Sequence, residues 1–165
     1  MATKQAKKLH YTVIYEPRPN GGFTVTVPAI PECEAEGSTL DVARARAKNA
    51  IEGCILEMLD EGDAIPVDVG REPVFEKITV SVKGKQFTYM VLFEPSYEGG
   101  FTIVVPALPG CVSEAESLLE ARANISDAIE GYLECQLDLK KPIPKDLQAQ
   151  PLFEKITAAI PALAA

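Results

Sequence analysis

Hydrophobic and polar residues alternate in two short segments near the start of the chain, and the pattern then changes its period. The alternation covers residues 10–15 and again 23–27, which is typical of half-buried strands. Prolines and glycines are concentrated in residues 17–22 between them, so the two strands are expected to form a hairpin. A short third strand is expected at residues 33–36.

Apolar residues at spacings of three and four follow, and they predict an amphipathic helix of about five turns. Ser38 or Thr39 is its expected N-cap, and Gly62 is its expected C-terminal stop. A second helix of the same kind is predicted farther along, where Ser117 and Glu120 have the spacing of a capping box. After each helix, an Ile-Pro turn and another alternating segment predict one more strand.

The order of elements occurs twice because the sequence itself is duplicated. Residues 9–82 align with residues 87–160 without a gap, and 33 of the 74 aligned positions are identical. The chain is therefore predicted to have an α+β fold, with two tandem β-β-β-α-β repeats and one helix packed on each small sheet. The predicted organisation is a flexible basic N-terminus (1–8), repeat 1 (9–82), a connector (83–86), repeat 2 (87–160) and a tail (161–165).

The distribution of charge narrows the classes of partner. The formal net charge is −8, and the two repeats carry −7 and −6, because 13 acidic residues face 6 basic ones in repeat 1 and 11 face 5 in repeat 2. Units of this sign repel phosphate backbones, so direct nucleic-acid binding is not expected, whereas a basic protein would be attracted. No apolar stretch is long enough for a membrane span. The four cysteines form no C-x-x-C pair and are expected to be reduced thiols, which favours a cytoplasmic protein.

One motif, present in both repeats, resembles a known family. Gly-Gly-Phe-Thr at 99–102 and Val-Pro-Ala-Leu-Pro-Gly-Cys at 105–111, with their counterparts at 21–24 and 27–33, precede a helix rich in Glu-Ala and Ala-Ile-Glu. This order resembles the HicB-like antitoxin family. The resemblance implies a degenerate ribonuclease-H-like fold in which the motif residues are structural. These residues are Gly22, Phe23, Pro28, Pro31, Cys33, Gly100, Phe101, Pro106, Pro109, Gly110 and Cys111.

The resemblance also implies a role that is not enzymatic. Members of the family typically neutralise a small basic HicA-type ribonuclease toxin by covering its active site, and many carry a DNA-binding module after the antitoxin domain. In this chain a second antitoxin-like repeat stands where that module would be. The leading hypothesis is therefore an interaction module that binds a basic toxin. The alternative is a solitary small-ligand-binding or scaffold protein.

Four acids that match between the repeats are the candidate partner surface: Glu16, Glu36, Glu94 and Glu114. A ribonuclease-H active site needs several carboxylates that converge on two divalent metals. Each repeat has one acid on its first strand and none on the next, so no catalytic residue, metal or cofactor is expected. The single histidine, His10, has Thr88 as its counterpart and is expected to be a surface residue.

Two further expectations concern the sheets. The matched Glu-Lys pairs of the last strands, Glu76-Lys77 and Glu154-Lys155, are expected to be solvated. A small sheet with one helix leaves a face and an edge strand uncovered, and such edges tend to pair. We therefore expect a homodimer.

Overall fold

The computed structural model describes residues 7–160 and confirms the α+β fold. The predicted tail and residues 1–6 of the predicted flexible N-terminus lie outside the described residues, while Lys7 and Lys8 begin the first strand. Repeat 1 forms β1 (Lys7–Pro17), β2 (Phe23–Thr26), β3 (Glu34–Gly37), α1 (Leu40–Glu61) and β4 (Val74–Val82). Repeat 2 forms β5 (Lys85–Pro95), β6 (Phe101–Val104), β7 (Val112–Ala115), α2 (Leu118–Asp138) and β8 (Leu152–Ile160).

Each sheet takes its fourth strand from the other repeat. The strand order is β3-β2-β1-β8 in one sheet and β4-β5-β6-β7 in the other, so β8 of repeat 2 pairs with β1 of repeat 1. We call this arrangement the strand exchange. Unit 1 is the compact unit that contains β1–β3, α1 and β8, and unit 2 contains β4–β7 and α2.

A two-residue turn explains the strand exchange. Only Lys83 and Gly84 separate β4 from β5, and their φ angles are 49° and 78°. Two successive residues with positive φ give a turn whose twist matches an antiparallel hairpin, so β4 pairs with β5. Because β4 occupies that edge of β5, β8 pairs with β1 instead.

Each unit has its own hydrophobic core between its helix and one face of its sheet. The alternating residues of β1 and β5 face the helix, as their period predicts. The exchanged strand contributes to the core that receives it, since Ala158 and Ile160 are buried in unit 1 and Val80 and Val82 are buried in unit 2. Each core is therefore built from residues of both repeats.

Both helices begin at the predicted signals. The Thr39 hydroxyl accepts an N–H of the first turn of α1 at 3.2 Å, and the Ser117 hydroxyl accepts the N–H of Glu120 at 3.2 Å. The Glu120 carboxylate accepts the N–H of Glu116 at 3.3 Å, so it bonds the residue before the N-cap and not the N-cap N–H that the predicted capping box would use. Gly62 follows the end of α1 with φ 77°, as a left-handed C-terminal residue does. No described helix has the length and the apolar character that a membrane crossing needs.

An arginine of each helix binds a glutamate of the exchanged strand. Arg122 donates to both carboxylate oxygens of Glu76, at 2.6 and 3.2 Å, and Arg44 donates to Glu154 at 2.8 Å. The expectation of solvated positions is wrong for these glutamates, because both are ion-paired and their side chains are only 29% and 31% exposed. The neighbouring Lys77 and Lys155 are exposed, as expected. The ion pairs join the helix of one repeat to a strand of the other.

The segment after each helix is anchored to the first strand of the same repeat. In unit 1 the Tyr11 hydroxyl donates to the Pro66 carbonyl at 2.6 Å, and Asp68 accepts from the N–H and hydroxyl of Thr12 at 2.8 and 2.9 Å. In unit 2, Tyr89 donates to the Pro144 carbonyl at 2.6 Å and the N–H of Met90 donates to Asp146 at 3.1 Å. The matched Ile-Pro-x-Asp segments therefore attach to the first strand in the same way in both units.

Candidate functional site

The four predicted surface acids lie in two kinds of environment. Glu16 on β1 and Glu94 on β5 are half-buried, whereas Glu36 on β3 and Glu114 on β7 are exposed. Burial raises the pKa of the Glu16 carboxyl above its usual value. Glu36 and Glu114 are therefore the better placed of the four to meet a partner.

In unit 2, the sheet brings two of these acids into one cross-strand row. Glu94 pairs with Thr102, and Thr102 pairs with Glu114 on its other side. Directly opposed residues of antiparallel strands share a face, so both acids lie on the face of the sheet that is turned away from α2. Two strand spacings separate them, which is about 10 Å.

Glu114 also lines an open cavity of about 330 Å³ at the corner where the β5–β6 hairpin meets the start of α2. We call it the acidic corner. Three further glutamates, Glu98, Glu116 and Glu120, line it together with Phe101 and Thr102. Four carboxylates around one cavity can accept hydrogen bonds from lysine or arginine side chains. Within residues 7–160, no group of acidic, histidine or cysteine side chains is arranged to hold a metal ion.

Arg71 holds the hairpin beside the acidic corner. Its Nη2 donates to the carbonyls of Ser96 and Gly100 at 3.1 and 2.8 Å, and its guanidinium carbon lies 4.7 Å from the centre of the Phe101 ring. Charged hydrogen bonds and a cation–π contact fix the loop. The strand exchange places Arg71 here, although it belongs to repeat 1. Its counterpart before β8 is Ala149.

The acidic corner is specific to unit 2. At the positions of Glu98, Glu116 and Glu120, repeat 1 has Asn20, Ser38 and Val42. Apolar exposure differs in the same part of the chain. Val112 and Leu119 are 58% and 80% exposed, whereas repeat 1 has Glu34 and Asp41 at these positions. Sequence analysis missed Glu98, Glu116 and Glu120 because it selected acids that occur in both repeats.

The motif glycines Gly22 and Gly100 are required by the backbone. They have φ angles of 79° and 70°, and a Cβ atom would lie 2.7 Å from the Gly37 carbonyl oxygen in unit 1 and 2.5 Å from that of Ala115 in unit 2. Any other residue would meet both the unfavourable φ and the carbonyl. Phe23 and Phe101, which follow them, begin β2 and β6 and pack on the two cores.

The motif prolines form two successive turns between the second and third strands. The N–H groups of Ile30 and Cys33 donate to the Val27 and Ile30 carbonyls at 2.9 Å, and unit 2 repeats both bonds. Pro28, Pro31, Pro106 and Pro109 each stand at the second residue of a turn, where their fixed φ is favoured. Gly110 has φ 88°, so the second turn of unit 2 uses a conformation that Glu32 of repeat 1 does not adopt.

All four cysteines are free thiols, and their environments differ. Cys33 and Cys111 are buried below the turns, Cys54 is half-buried and Cys135 is exposed. Burial raises the pKa of the Cys33 thiol to about 12, with neighbouring Cys54 adding to the shift, and burial also raises the pKa of Cys111. The two motif cysteines therefore stay protonated and serve as packing groups.

Comparison with known proteins gives one family and several relatives. The family model described as HicB-like antitoxin of bacterial toxin–antitoxin system matches residues 11–77 and 89–160. A UPF0150 protein of Synechocystis sp. is 40% identical over 75 residues, which cover 44% of this chain and 95% of the relative. A UPF0150 protein of Thermoplasma acidophilum is 36% identical over 58 residues, covering 35% of this chain and 84% of the relative. One from Archaeoglobus fulgidus is 35% identical over 52 residues, covering 32% and 75%.

Proposed function

Since this chain belongs to the HicB-like antitoxin family of bacterial toxin–antitoxin systems, we propose that it acts by binding a protein and not by catalysis. The proposed partner is a small basic HicA-type ribonuclease toxin, which the chain neutralises in the cytoplasm. The acidity of both repeats supports this partner, since opposite charge accelerates encounter and disfavours wrong partners.

The acidic corner is the proposed contact site, and its four carboxylates are the observation that carries the proposal. They surround a concave surface at which basic side chains of a partner would be paired instead of left in solvent. Leu119 and Val112 provide exposed apolar area in the same unit. Interfaces typically combine such apolar contacts with charged groups at the rim.

The test compares two triple variants that change the net charge equally. Glu98→Gln, Glu114→Gln and Glu116→Gln neutralise the acidic corner, while Glu32→Gln, Glu34→Gln and Glu57→Gln neutralise three exposed acids of repeat 1. Glu120 is kept because its carboxylate accepts the N–H of Glu116 at the start of α2. Binding to a HicA-type toxin from the same host is measured by calorimetry, and neutralisation by growth rescue on co-expression.

We expect the acidic-corner variant to weaken binding at least tenfold, which is about 1.4 kcal/mol, and to rescue growth poorly. The repeat 1 variant should change binding less than threefold. Equal losses would show that net charge acts without a local site. An absence of binding and rescue by the unmodified chain would overturn the proposed partner.

We also propose that the protein functions as a homodimer. The support is general: each unit has one helix on a small four-stranded sheet, and such units commonly pair through sheet edges. Sedimentation equilibrium at micromolar concentration should give twice the monomer mass of 17.8 kDa. A mass equal to that of the single chain at this concentration would contradict the dimer.

A further inference from the structure

The first strand of each repeat has an edge that fits the last strand of the other repeat. In unit 1 the pairing extends from Lys7–Ile160 to Tyr15–Leu152, and in unit 2 from Lys85–Val82 to Phe93–Val74. The two registers are equivalent under the duplication. Each supplied strand also fills the receiving core, as the burial of Ala158 and Val80 shows. Neither repeat therefore contains all the parts of its own sheet and core.

The position of the segment between α1 and β4, which Asp68 attaches to β1, explains why a repeat does not complete its own sheet. Asp68 binds the N–H of Thr12, and a strand N–H points towards one side of its strand only. Lys85 and Val82 flank a two-residue turn and form a hydrogen-bonded pair, and such pairs alternate with non-hydrogen-bonded ones along the ladder. In the equivalent register of unit 1, the N–H of Thr12 points away from β8, so Asp68 lies on the β2 side of β1. To pair with β1, residues 69–73 would have to carry β4 across a face of the sheet. Instead, they connect to β4 in unit 2.

The covalent link between the repeats occupies one of two equivalent positions. Lys85 and Val82 pair at the end of their ladder in unit 2 and are joined by the turn at Lys83 and Gly84. In unit 1 the equivalent pair is Lys7 and Ile160, and no turn joins them. The same strand pairing therefore forms with and without a covalent closure at its end.

We propose that this protein is a strand-exchanged pair of repeats closed into one polypeptide, and that the closure at Lys83–Gly84 is dispensable for assembly. The interaction surface is the open edge of the first strand of a repeat, and its partner is the last strand of a second repeat. Two separate repeats are held together by two such pairings, one in each unit.

The first test cleaves the link in the full-length protein. A recognition sequence for a site-specific protease is inserted between Lys83 and Gly84, and the folded protein is cut. We expect the halves to elute together at micromolar concentration and to unfold in one transition. Its Tm should depend more steeply on protein concentration after cleavage than before, because unfolding of the cut protein separates one more chain from each pair of repeats. Halves that separate, or two transitions independent of concentration, would overturn the proposal.

A double-mutant cycle on the uncut chain is the second test, and it checks the strand exchange on which the proposal depends even if the inserted sequence disturbs folding. The first cycle combines Arg44→Ala with Glu154→Ala, which change residues of different repeats. The second combines Arg44→Ala with Glu76→Ala, which both change residues of repeat 1. We expect non-additive losses of stability for the first pair and additive losses for the second, since coupling needs contact. Coupling between Arg44 and Glu76 instead would show that each repeat keeps its own strand.

Discussion

The corner between the hairpin and the helix start has the same framework in both units but different charges. Gly22 and Gly100 make the same close approach to a carbonyl, and Thr39 and Ser117 cap the helices alike. The side chains around this framework differ, because three glutamates of unit 2 replace Asn20, Ser38 and Val42. Unit 1 shows that the fold does not need these glutamates. The acidity of unit 2 is therefore a property that duplication left free to change, and it is where function is expected to differ.

The largest expected effect concerns the shared framework. Ile51 and Ile129 are equivalent helix residues with no exposed surface, and Ile51→Ala or Ile129→Ala should each lower the free energy of unfolding by about 2–5 kcal/mol through lost burial and a cavity. Urea denaturation measures both. Similar losses are expected, and a loss below 1 kcal/mol for one of them would show that the two cores are not equivalent. Exposed Leu119→Ala is the control and should change stability little.

A somewhat smaller effect is expected at the hairpin glycines. Gly22→Ala and Gly100→Ala place a methyl group against a carbonyl oxygen at positive φ, which should cost about 1–3 kcal/mol each. Gly99→Ala also has an unfavourable positive φ, 102°, but open space around its Cβ position, so it separates the backbone cost from the steric cost. If Gly22→Ala costs no more stability than Gly99→Ala, the close approach to the carbonyl does not constrain unit 1 as it constrains unit 2.

One side-chain hydrogen bond is present in unit 1 and has no equivalent in unit 2. In unit 1 the Tyr15 hydroxyl donates to Glu154 at 2.7 Å, while Phe93 stands at the equivalent position of unit 2. Tyr15→Phe should lower the free energy of unfolding by about 1–2 kcal/mol, because it removes a hydrogen bond to a charged group. In a Glu154→Gln background the same substitution should cost less. An equal cost in both backgrounds would assign the loss to packing.

The smallest effect is a dependence on pH. Burial raises the folded-state pKa of Glu16, so the folded state holds this proton more tightly than the unfolded state does. Ionised Glu16 therefore costs stability at neutral pH, and the cost disappears as the pH falls below the ordinary carboxyl pKa. Glu16→Gln should raise the Tm slightly at pH 7 and leave it nearly unchanged at pH 4. Exposed Glu36→Gln is the control, and an identical pH profile for both variants would contradict the assigned cause.

Local signals in the sequence predicted most of the elements. The glycine pairs predicted the hairpins, and Thr39, Ser117 and Gly62 marked helix ends because capping depends on neighbouring residues alone. The strand exchange was not predicted, although Lys83-Gly84 between two alternating segments is a signal for a two-residue hairpin. The two last strands share Phe-Glu-Lys-Ile-Thr, so side-chain pattern alone fits either sheet.

Only part of the candidate site was predicted, because comparison of the repeats selects acids that both repeats share. Comparison of the repeats identified Glu114, which lines the acidic corner, and Glu94, which shares its cross-strand row. It could not identify Glu98 or Glu116, because these acids have no counterpart in repeat 1. It also treated Glu76 and Glu154 as solvated, although the equivalent arginines Arg44 and Arg122 offered a partner for each. Comparison of the two repeats therefore identifies residues that the shared framework needs and misses residues that only one repeat has gained.

The pairing of β1 with β8 has a consequence for biosynthesis. A ribosome makes β1 first and β8 last, so the sheet of unit 1 receives its fourth strand only when residues 152–160 have left the exit tunnel. Domains at the start of a chain usually fold while synthesis continues, but this one must wait for the end. A prematurely terminated chain therefore exposes the edge of β1 and an incomplete core, which marks it for chaperones and proteases. Completion of translation is thus the last step in building the first unit.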